Sequence, residues 1–152
     1  MVVFCDGLFF GGCHHRIEIS ALLTRVKSVR TLLIIDDDPI IRKLALFAFG
    51  KLGQFFVQQA SSGEMGLERL NEGLPDVVIL DVMMPAMDGP ATFALIRAKY
   101  PKLPIIFLTG QETDEQLAKL RSLGPAGILA KPFDPKTIGR AVHNILDGLS
   151  AT

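Results

Sequence analysis

From Thr31 onward, short apolar and β-branched runs alternate with longer segments in which apolar residues recur at helical spacing. Glycine and proline separate the two kinds of segment. Three of the apolar runs are nearly continuous, which is typical of strands covered by helices on both faces of a sheet. The predicted strands are residues 32–35, 55–57, 77–80, 105–108 and 127–130. The alternation predicts a parallel sheet with helices between its strands.

The segments between the strands carry recognisable helix starts. Two Asp-Pro pairs place an N-cap before a proline at the first helical position, and two Ser/Thr residues have the spacing of a capping box. These are Asp38-Pro39, Asp134-Pro135, Ser61 with Glu64, and Thr113 with Gln116. The predicted helices are residues 39–52, 62–72, 89–99, 113–123 and 135–148. Right-handed crossovers put helices on both faces, so we predict an α/β fold with a doubly wound, five-stranded parallel sheet.

Polar residues follow directly after four of the predicted strands. They are Asp36-Asp37-Asp38 after the first strand, Asp81 after the third, Thr109 after the fourth and Lys131 after the fifth. In such sheets, ligands bind at the carboxyl ends of the strands, where these residues converge. Gathered carboxylates raise one another's pKa unless a cation neutralises them. Only oxygen donors are present here, which favours Mg²⁺ over zinc.

Each of these residues also has an ordinary structural interpretation. Asp38 is the expected cap of the first helix. Thr109 alone would be a turn residue, and Lys131 alone would be a solvated loop charge. Only their joint placement at one sheet edge predicts a function.

Length and composition limit the classes of protein that remain. The 152 residues, 16.6 kDa, allow one compact domain with a short appendage. With 49% hydrophobic and 21% charged residues, general disorder is excluded. Sixteen Lys and Arg balance sixteen Asp and Glu, whereas nucleic-acid and anionic-membrane binders usually carry a basic excess. We therefore expect neither a nucleic-acid nor a membrane partner.

Cysteine usage and targeting signals predict the compartment. The only cysteines are Cys5 and Cys13, so the body of the chain has no disulfide framework. No apolar run approaches the ~18 residues of a membrane-spanning helix, and the first residues lack the basic start of a secretory signal. We expect a cytoplasmic protein.

Residues 1–30 differ from the rest of the chain. They hold glycine and aromatic clusters without a clear period. Cys5, Cys13, His14 and His15 could supply metal ligands, but their spacing does not match that of zinc sites. We expect a poorly ordered N-terminal extension, or a start codon assigned upstream of the true one.

Four motifs stand in order along the chain and together carry a family resemblance. They are Asp36-Asp37, Asp81-Val82-Met83-Met84-Pro85-Ala86-Met87-Asp88-Gly89, Leu108-Thr109-Gly110 and Ala130-Lys131-Pro132-Phe133. In sequence and spacing they resemble the receiver domain of two-component response regulators, of the chemotaxis-regulator type. The resemblance implies a receiver domain over residues 31–150, with the flavodoxin-like strand order 2-1-3-4-5.

The resemblance implies roles in phosphoryl transfer for three residues. Asp81 would be the phosphoacceptor, attacking the phosphohistidine of a histidine kinase or a histidine phosphotransfer protein. Lys131 would place a positive charge on the phosphoryl oxygens, and the Thr109 hydroxyl would donate a hydrogen bond to them. The Lys131-Pro132 peptide bond would be cis.

The resemblance also implies the ligands of a Mg²⁺ ion. Asp37 and Asp81 would bind it directly, Asp36 would bind it through water, and the backbone carbonyl of Met83 would supply a further oxygen.

Because the chain ends shortly after its last predicted helix, we expect this response regulator to be a stand-alone one. It would signal by contacts with an unknown downstream protein and would not be an enzyme, since it catalyses only its own phosphorylation and dephosphorylation. Ile128 departs from the family, whose members usually carry Tyr or Phe three residues before the lysine. This departure predicts a weaker or differently routed switch.

Two alternatives remain at this level. The first is a phosphate-independent interaction module on the same fold, which a replacement of Asp81 or Lys131 would have favoured. The second is a phosphatase of the haloacid-dehalogenase type, because Asp36-x-Asp38 mimics its nucleophile motif. That family has Thr two residues further on, where this chain has Ile40. We also expect His143 to lie on the surface near the carboxyl end of the last helix.

Overall fold

A computed structural model describes residues 29–110 and 112–151. Its strands form one parallel five-stranded sheet in the order β2-β1-β3-β4-β5. They are β1 (Thr31–Ile35), β2 (Phe56–Ala60), β3 (Val77–Asp81), β4 (Ile105–Thr109) and β5 (Gly127–Ala130). The predicted doubly wound α/β fold with flavodoxin-like strand order 2-1-3-4-5 is therefore confirmed.

Five helical segments connect or follow the strands. They are α1 (Pro39–Ala45), which continues as a π-helix over Leu46–Leu52, α2 (Gly63–Glu72), α3 (Gly89–Lys99), α4 (Asp114–Ser122) and α5 (Ile138–Ser150). None of the described helices has the length and apolar character that crossing a bilayer requires. Up to position 28, the predicted N-terminal extension, with Cys5, Cys13, His14 and His15, lies outside the described residues.

The two faces of the sheet bury separate apolar clusters, because successive residues of each strand point to opposite sides. Leu33 and Ile35 of β1 face one side, and Leu32 and Ile34 face the other. The first cluster includes side chains of α2, α3 and α4, and the second includes side chains of α1 and α5. Apolar packing on both faces holds the carboxyl ends of the strands in fixed register.

The predicted helix starts are confirmed at α1 and α4. The Asp38 side chain accepts a hydrogen bond from the Ile40 N–H at 2.8 Å, with Pro39 in the first turn. Thr113 and Gln116 form the reciprocal capping box. Each cap satisfies backbone donors that the first helical turn leaves free.

The predicted capping pair of α2 is wrong by one residue. Ser62, not Ser61, is the N-cap, and its hydroxyl accepts a hydrogen bond from the Met65 N–H at 3.2 Å. Gly63 begins the helix pressed against Thr92, where a Cβ atom would collide with the threonine hydroxyl. This close approach between α2 and α3 sets the start of α2.

The last helix begins at Ile138, three residues after the predicted start. The Asp134 carboxylate accepts from the Lys136 N–H at 2.9 Å, and the Asp134 carbonyl accepts from Thr137 and Ile138, both at 3.1 Å. These bonds form a turn around Pro135, so Asp134 caps a turn and not a helix.

The prediction that His143 is a surface residue near the helix end is wrong. Because α5 continues to Ser150, His143 lies in its middle. The imidazole stacks on Phe55 with ring centroids 4.2 Å apart, and Nε2 lies 2.8 Å from the Gly53 carbonyl oxygen. Phe55 is buried in the core, directly before β2. This strand begins at Phe56, one residue later than predicted.

Candidate functional site

Three carboxylates meet at the carboxyl edge of the central strands. Asp36 directly follows β1, and Asp81 is the last residue of β3. Since Ile35 is paired with Leu80 across these neighbouring strands, the two aspartates leave the sheet side by side. One carboxylate oxygen each of Asp36, Asp37 and Asp81 lies within 4.8 Å of the others. Asp36 and Asp81 are buried, whereas Asp37 is exposed.

Lys131 brings a positive charge to this cluster from the end of β5. Its Nζ lies 2.8 Å from Asp36 Oδ2 and 2.9 Å from Asp81 Oδ1. Lys131 precedes a cis peptide bond to Pro132, as predicted. The ammonium group thus bridges carboxylates from two neighbouring strands.

Burial and these contacts shift the ionisation of Asp81 and Lys131. Burial raises the pKa of the Asp81 carboxyl, the nearby Asp36 charge adds to this, and the hydrogen bond from Lys131 offsets part of it. Burial alone would lower the pKa of the Lys131 ammonium, but its contacts with Asp36 and Asp81 together raise it. Lys131 is therefore charged at neutral pH, and it compensates a crowded negative site.

The donor atoms of this cluster fit a hard divalent cation. Asp36 Oδ2 is buried, and its ion-pair partner among the described residues is the Lys131 ammonium at 2.8 Å, whereas a carboxylate oxygen has two acceptor sites. This oxygen therefore retains capacity for a cation. The described residues that line the cavity of about 380 Å³ are Asp36, Asp37, Asp38, Asp81, Met83, Gly110, Glu112, Gln116 and Lys131. Oxygen ligands without His or Cys suit Mg²⁺.

The predicted site residues occupy the expected edge of the sheet. Asp36, Asp37, Asp81, Met83 and Lys131 all line the cavity. The Met83 N–H donates to Asp81 Oδ1 at 3.4 Å, and the Met83 side chain is 73% exposed. Thr109 is buried at the end of β4. It directly follows Leu108, which is paired with Asp81, and directly precedes Gly110, which lines the cavity.

The structure adds contacts by three residues, of which Arg42 and Glu112 were missed by the sequence interpretation and Gly89 was named only as the end of the second motif. Arg42 of α1 donates to the backbone carbonyls of Asp36 and Asp37. Glu112 lines the cavity and accepts from the Gly110 N–H at 3.2 Å. Gly89 packs against the Asp81 carbonyl, where a Cβ atom would collide with it. The only sequence signal for any of them was the Asp-Gly pair that ends the second motif.

A doubly wound parallel sheet with an acidic pocket and a lysine at its carboxyl edge defines a receiver module of two-component signalling. The model of the response regulator receiver domain matches residues 32–143. The chain belongs to this family, as predicted. This family assignment excludes the alternative of a haloacid-dehalogenase-type phosphatase. Receiver domains of this family bind Mg²⁺ at an acidic pocket and interact with histidine kinases or phosphotransfer proteins.

Individual relatives support the family assignment. The chain is 38% identical over 115 residues to a probable transcriptional regulator, ycf27, of Guillardia theta, covering 75% of this chain and 44% of that protein. It is 32% identical to response regulator Rre1 of a Synechocystis strain, of which it covers 51%. The chain thus spans about half the length of these curated relatives.

Solved structures show the same likeness in three dimensions. The chemotaxis protein CheY4 of Vibrio cholerae superposes with a TM-score of 0.72 at 28% identity, over 78% of this chain and 99% of that one. A putative response regulator from Chloroflexus aurantiacus gives a TM-score of 0.71 at 34% identity, over 78% of this chain and 98% of that one. Both comparisons cover nearly the whole of the matched structure.

Proposed function

We propose that this receiver accepts a phosphoryl group on Asp81 from a histidine kinase or a histidine phosphotransfer protein. The observation that supports this most strongly is the setting of Asp81. Its buried carboxylate ends a central strand, lies 2.9 Å from the Lys131 ammonium, and forms one cluster with Asp36 and Asp37. Phosphoryl transfer requires mainly such positioning and charge compensation from the protein.

In the proposed reaction, an Asp81 carboxylate oxygen bonds to phosphorus as the phosphorus–nitrogen bond of the donor's phosphohistidine breaks. The electron pair of that bond returns to the donor imidazole. Lys131, already in contact with Asp81, supplies positive charge to the phosphoryl oxygens, and the Thr109 hydroxyl donates a hydrogen bond to them. The phosphoryl group passes from the donor to the receiver and stays on it until it is hydrolysed, so the receiver is the acceptor of the reaction and we do not class it as an enzyme.

Asp36, Asp37, Asp81 and the backbone carbonyl of Met83 would hold Mg²⁺ in this pocket. The clustered carboxylate oxygens of Asp36, Asp37 and Asp81 and the all-oxygen donor set support this assignment. When bound, Mg²⁺ compensates the negative charge of the carboxylates and of the incoming phosphoryl group.

We further propose that residues 31–150 form the signalling unit, that residues 1–30 are an extension, and that the output is a contact with another cytoplasmic protein. The absence of a fused output domain stays a prediction. The intact mass of the protein isolated from its native source tests both the N-terminal start and the stand-alone form.

Intact mass after incubation with a small-molecule phosphodonor tests the acceptor assignment. We expect the mass of one labile phosphoryl group to be added to the wild type, with Mg²⁺ present and not after its chelation. Asp81→Asn should gain nothing. Asp88→Asn is the matched control, because it changes the other aspartate of the same loop while Asn still caps α3.

The possible results separate the two functions. An adduct on Asp81→Asn would contradict the acceptor assignment. No adduct on any folded sample would contradict phosphorylation and favour the phosphate-independent interaction module.

A further inference from the structure

We propose that Arg42 of α1 is a positioning residue for the acidic pocket, acting through the backbone of Asp37 and Asp38 on the Asp36 carboxylate. This inference deepens the proposed function, because it rests on the pocket being the Mg²⁺ site.

The contact itself is made entirely with main-chain atoms. Arg42 Nη1 donates to the carbonyl oxygen of Asp36 at 2.7 Å and to that of Asp37 at 2.9 Å. A guanidinium nitrogen of this type carries two hydrogens, so it serves both carbonyls at once. Arg42 is half-buried, which limits competition from water.

The peptide between Asp37 and Asp38 transmits this contact to a site carboxylate. It is a planar trans unit, so its carbonyl and its N–H point in opposite directions. While Arg42 holds the Asp37 carbonyl, the Asp38 N–H points away from Arg42 and donates to Asp36 Oδ1 at 2.9 Å. With Oδ1 engaged, Oδ2 is directed to Lys131, 2.8 Å away, and remains available to a cation.

The direction in which the Mg²⁺ affinity changes when Arg42 is replaced distinguishes a positioning role of this side chain from a purely electrostatic one. Arg42 is a cation next to a cation site, so its charge alone weakens Mg²⁺ binding, and removing that charge would tighten it. If Arg42 orients the Asp36 carboxylate, removing its side chain instead weakens Mg²⁺ binding. Lys43 provides the matched control, since it is the exposed neighbour on the same helix and carries the same charge.

The experiment compares Arg42→Gln, Arg42→Lys and Lys43→Gln with the wild type. The Mg²⁺ dissociation constant is measured by calorimetry, and hydrogen exchange of the Asp38 amide is measured by NMR on the metal-free protein. For Arg42→Gln we expect Mg²⁺ binding about tenfold weaker, as for one lost hydrogen bond, with faster exchange at Asp38. Lys43→Gln should stay within about twofold of the wild type.

Arg42→Lys keeps the charge on a shorter side chain that reaches the two carbonyls less well, so the Mg²⁺ dissociation constant and the Asp38 exchange rate should fall between those of the wild type and Arg42→Gln. Mg²⁺ binding by Arg42→Gln that equals or exceeds the wild type's would overturn the proposal. If Arg42→Gln does not fold, Arg42→Lys decides, and wild-type values of both quantities would overturn it. A wild type that binds no Mg²⁺ would instead contradict the proposed function, while exchange at Asp38 would still test the backbone link.

Discussion

Replacing Lys131 with methionine removes the charge that compensates the pocket while keeping a similar side-chain length. Lys131 is 19% exposed, and its partners Asp36 and Asp81 are 0% and 5% exposed as side chains. Breaking a buried ion pair from one side costs about 3–5 kcal/mol, because the remaining charge is left uncompensated. Since the ammonium group is not fully buried, we expect the lower end, a loss of about 3 kcal/mol in the free energy of unfolding at pH 7.

The pH dependence of this loss follows from the two pKa directions. The pKa of Lys131 is raised above 10.5 on folding. The stability that its positive charge contributes is therefore fully present below pH 10.5 and is lost as the pH rises through the folded-state pKa. The contribution also requires an ionised partner, and the pKa of Asp81 is raised above 3.8. The difference between wild type and variant should therefore shrink as the pH falls toward 3.8.

Urea unfolding followed by circular dichroism, in the presence of a chelator, measures the loss. Lys102→Met is the control, because Lys102 is exposed and lies outside the residues lining the cavity, and it should change the free energy of unfolding by less than about 0.5 kcal/mol. Adding Mg²⁺ should stabilise Lys131→Met more than the wild type, since the ion replaces the missing charge. A loss below about 1 kcal/mol without Mg²⁺ would refute the claim that Lys131 compensates buried carboxylates.

Three further outcomes follow from the site. Asp81→Asn should raise the free energy of unfolding at pH 7 without Mg²⁺. The pKa of Asp81 is raised on folding, so the wild type loses stability as the pH rises from 3.8 through the folded-state pKa, and Asn removes the ionised carboxylate that causes this loss. A gain that persists at pH 3 would contradict this reasoning. Gly89→Ala should lower the free energy of unfolding by about 2 kcal/mol or more, and with it the thermal midpoint, since the added Cβ would meet the backbone of Asp81. Gly73→Ala is the control, because its Cβ would enter open space and should change the stability very little. Because Ile128 is half-buried against the α2–α3–α4 cluster, we expect phosphorylation to give small amide shifts across α4 and α5; large shifts in both helices would disprove a weakened switch.

The sequence was sufficient to predict the sheet and the edge that carries the site. Continuous apolar runs identify buried parallel strands, and a charged residue directly after such a run must emerge at the carboxyl edge. Asp36, Asp81 and Lys131 follow this logic and meet there. Their placement also depends on strand register, which runs buried on both faces do not specify by alternation and which the structure gives as Ile35 with Leu80 and Asp81 with Leu108.

The remaining features depend on contacts between elements that are distant in the chain. The α2 start at Ser62 follows from the packing of Gly63 on α3, and the position of His143 follows from Phe55 and Gly53. The bonds of Arg42 go to main-chain carbonyls, which every residue possesses and no motif can mark. Local propensity could not have predicted these contacts.

The π-helical turns of Leu46–Leu52 mark a point where the length of this chain can change. Such a segment holds an extra residue within an otherwise α-helical run. Deleting the exposed Lys51 would convert these turns to ordinary α-helical ones, and Gly53 would still pack against Gly139 of α5. Deleting Ile40 would rotate Arg42 by about 100° away from the carbonyls it binds. We therefore expect a one-residue deletion to be tolerated within Leu46–Leu52 and not in the first two turns of α1.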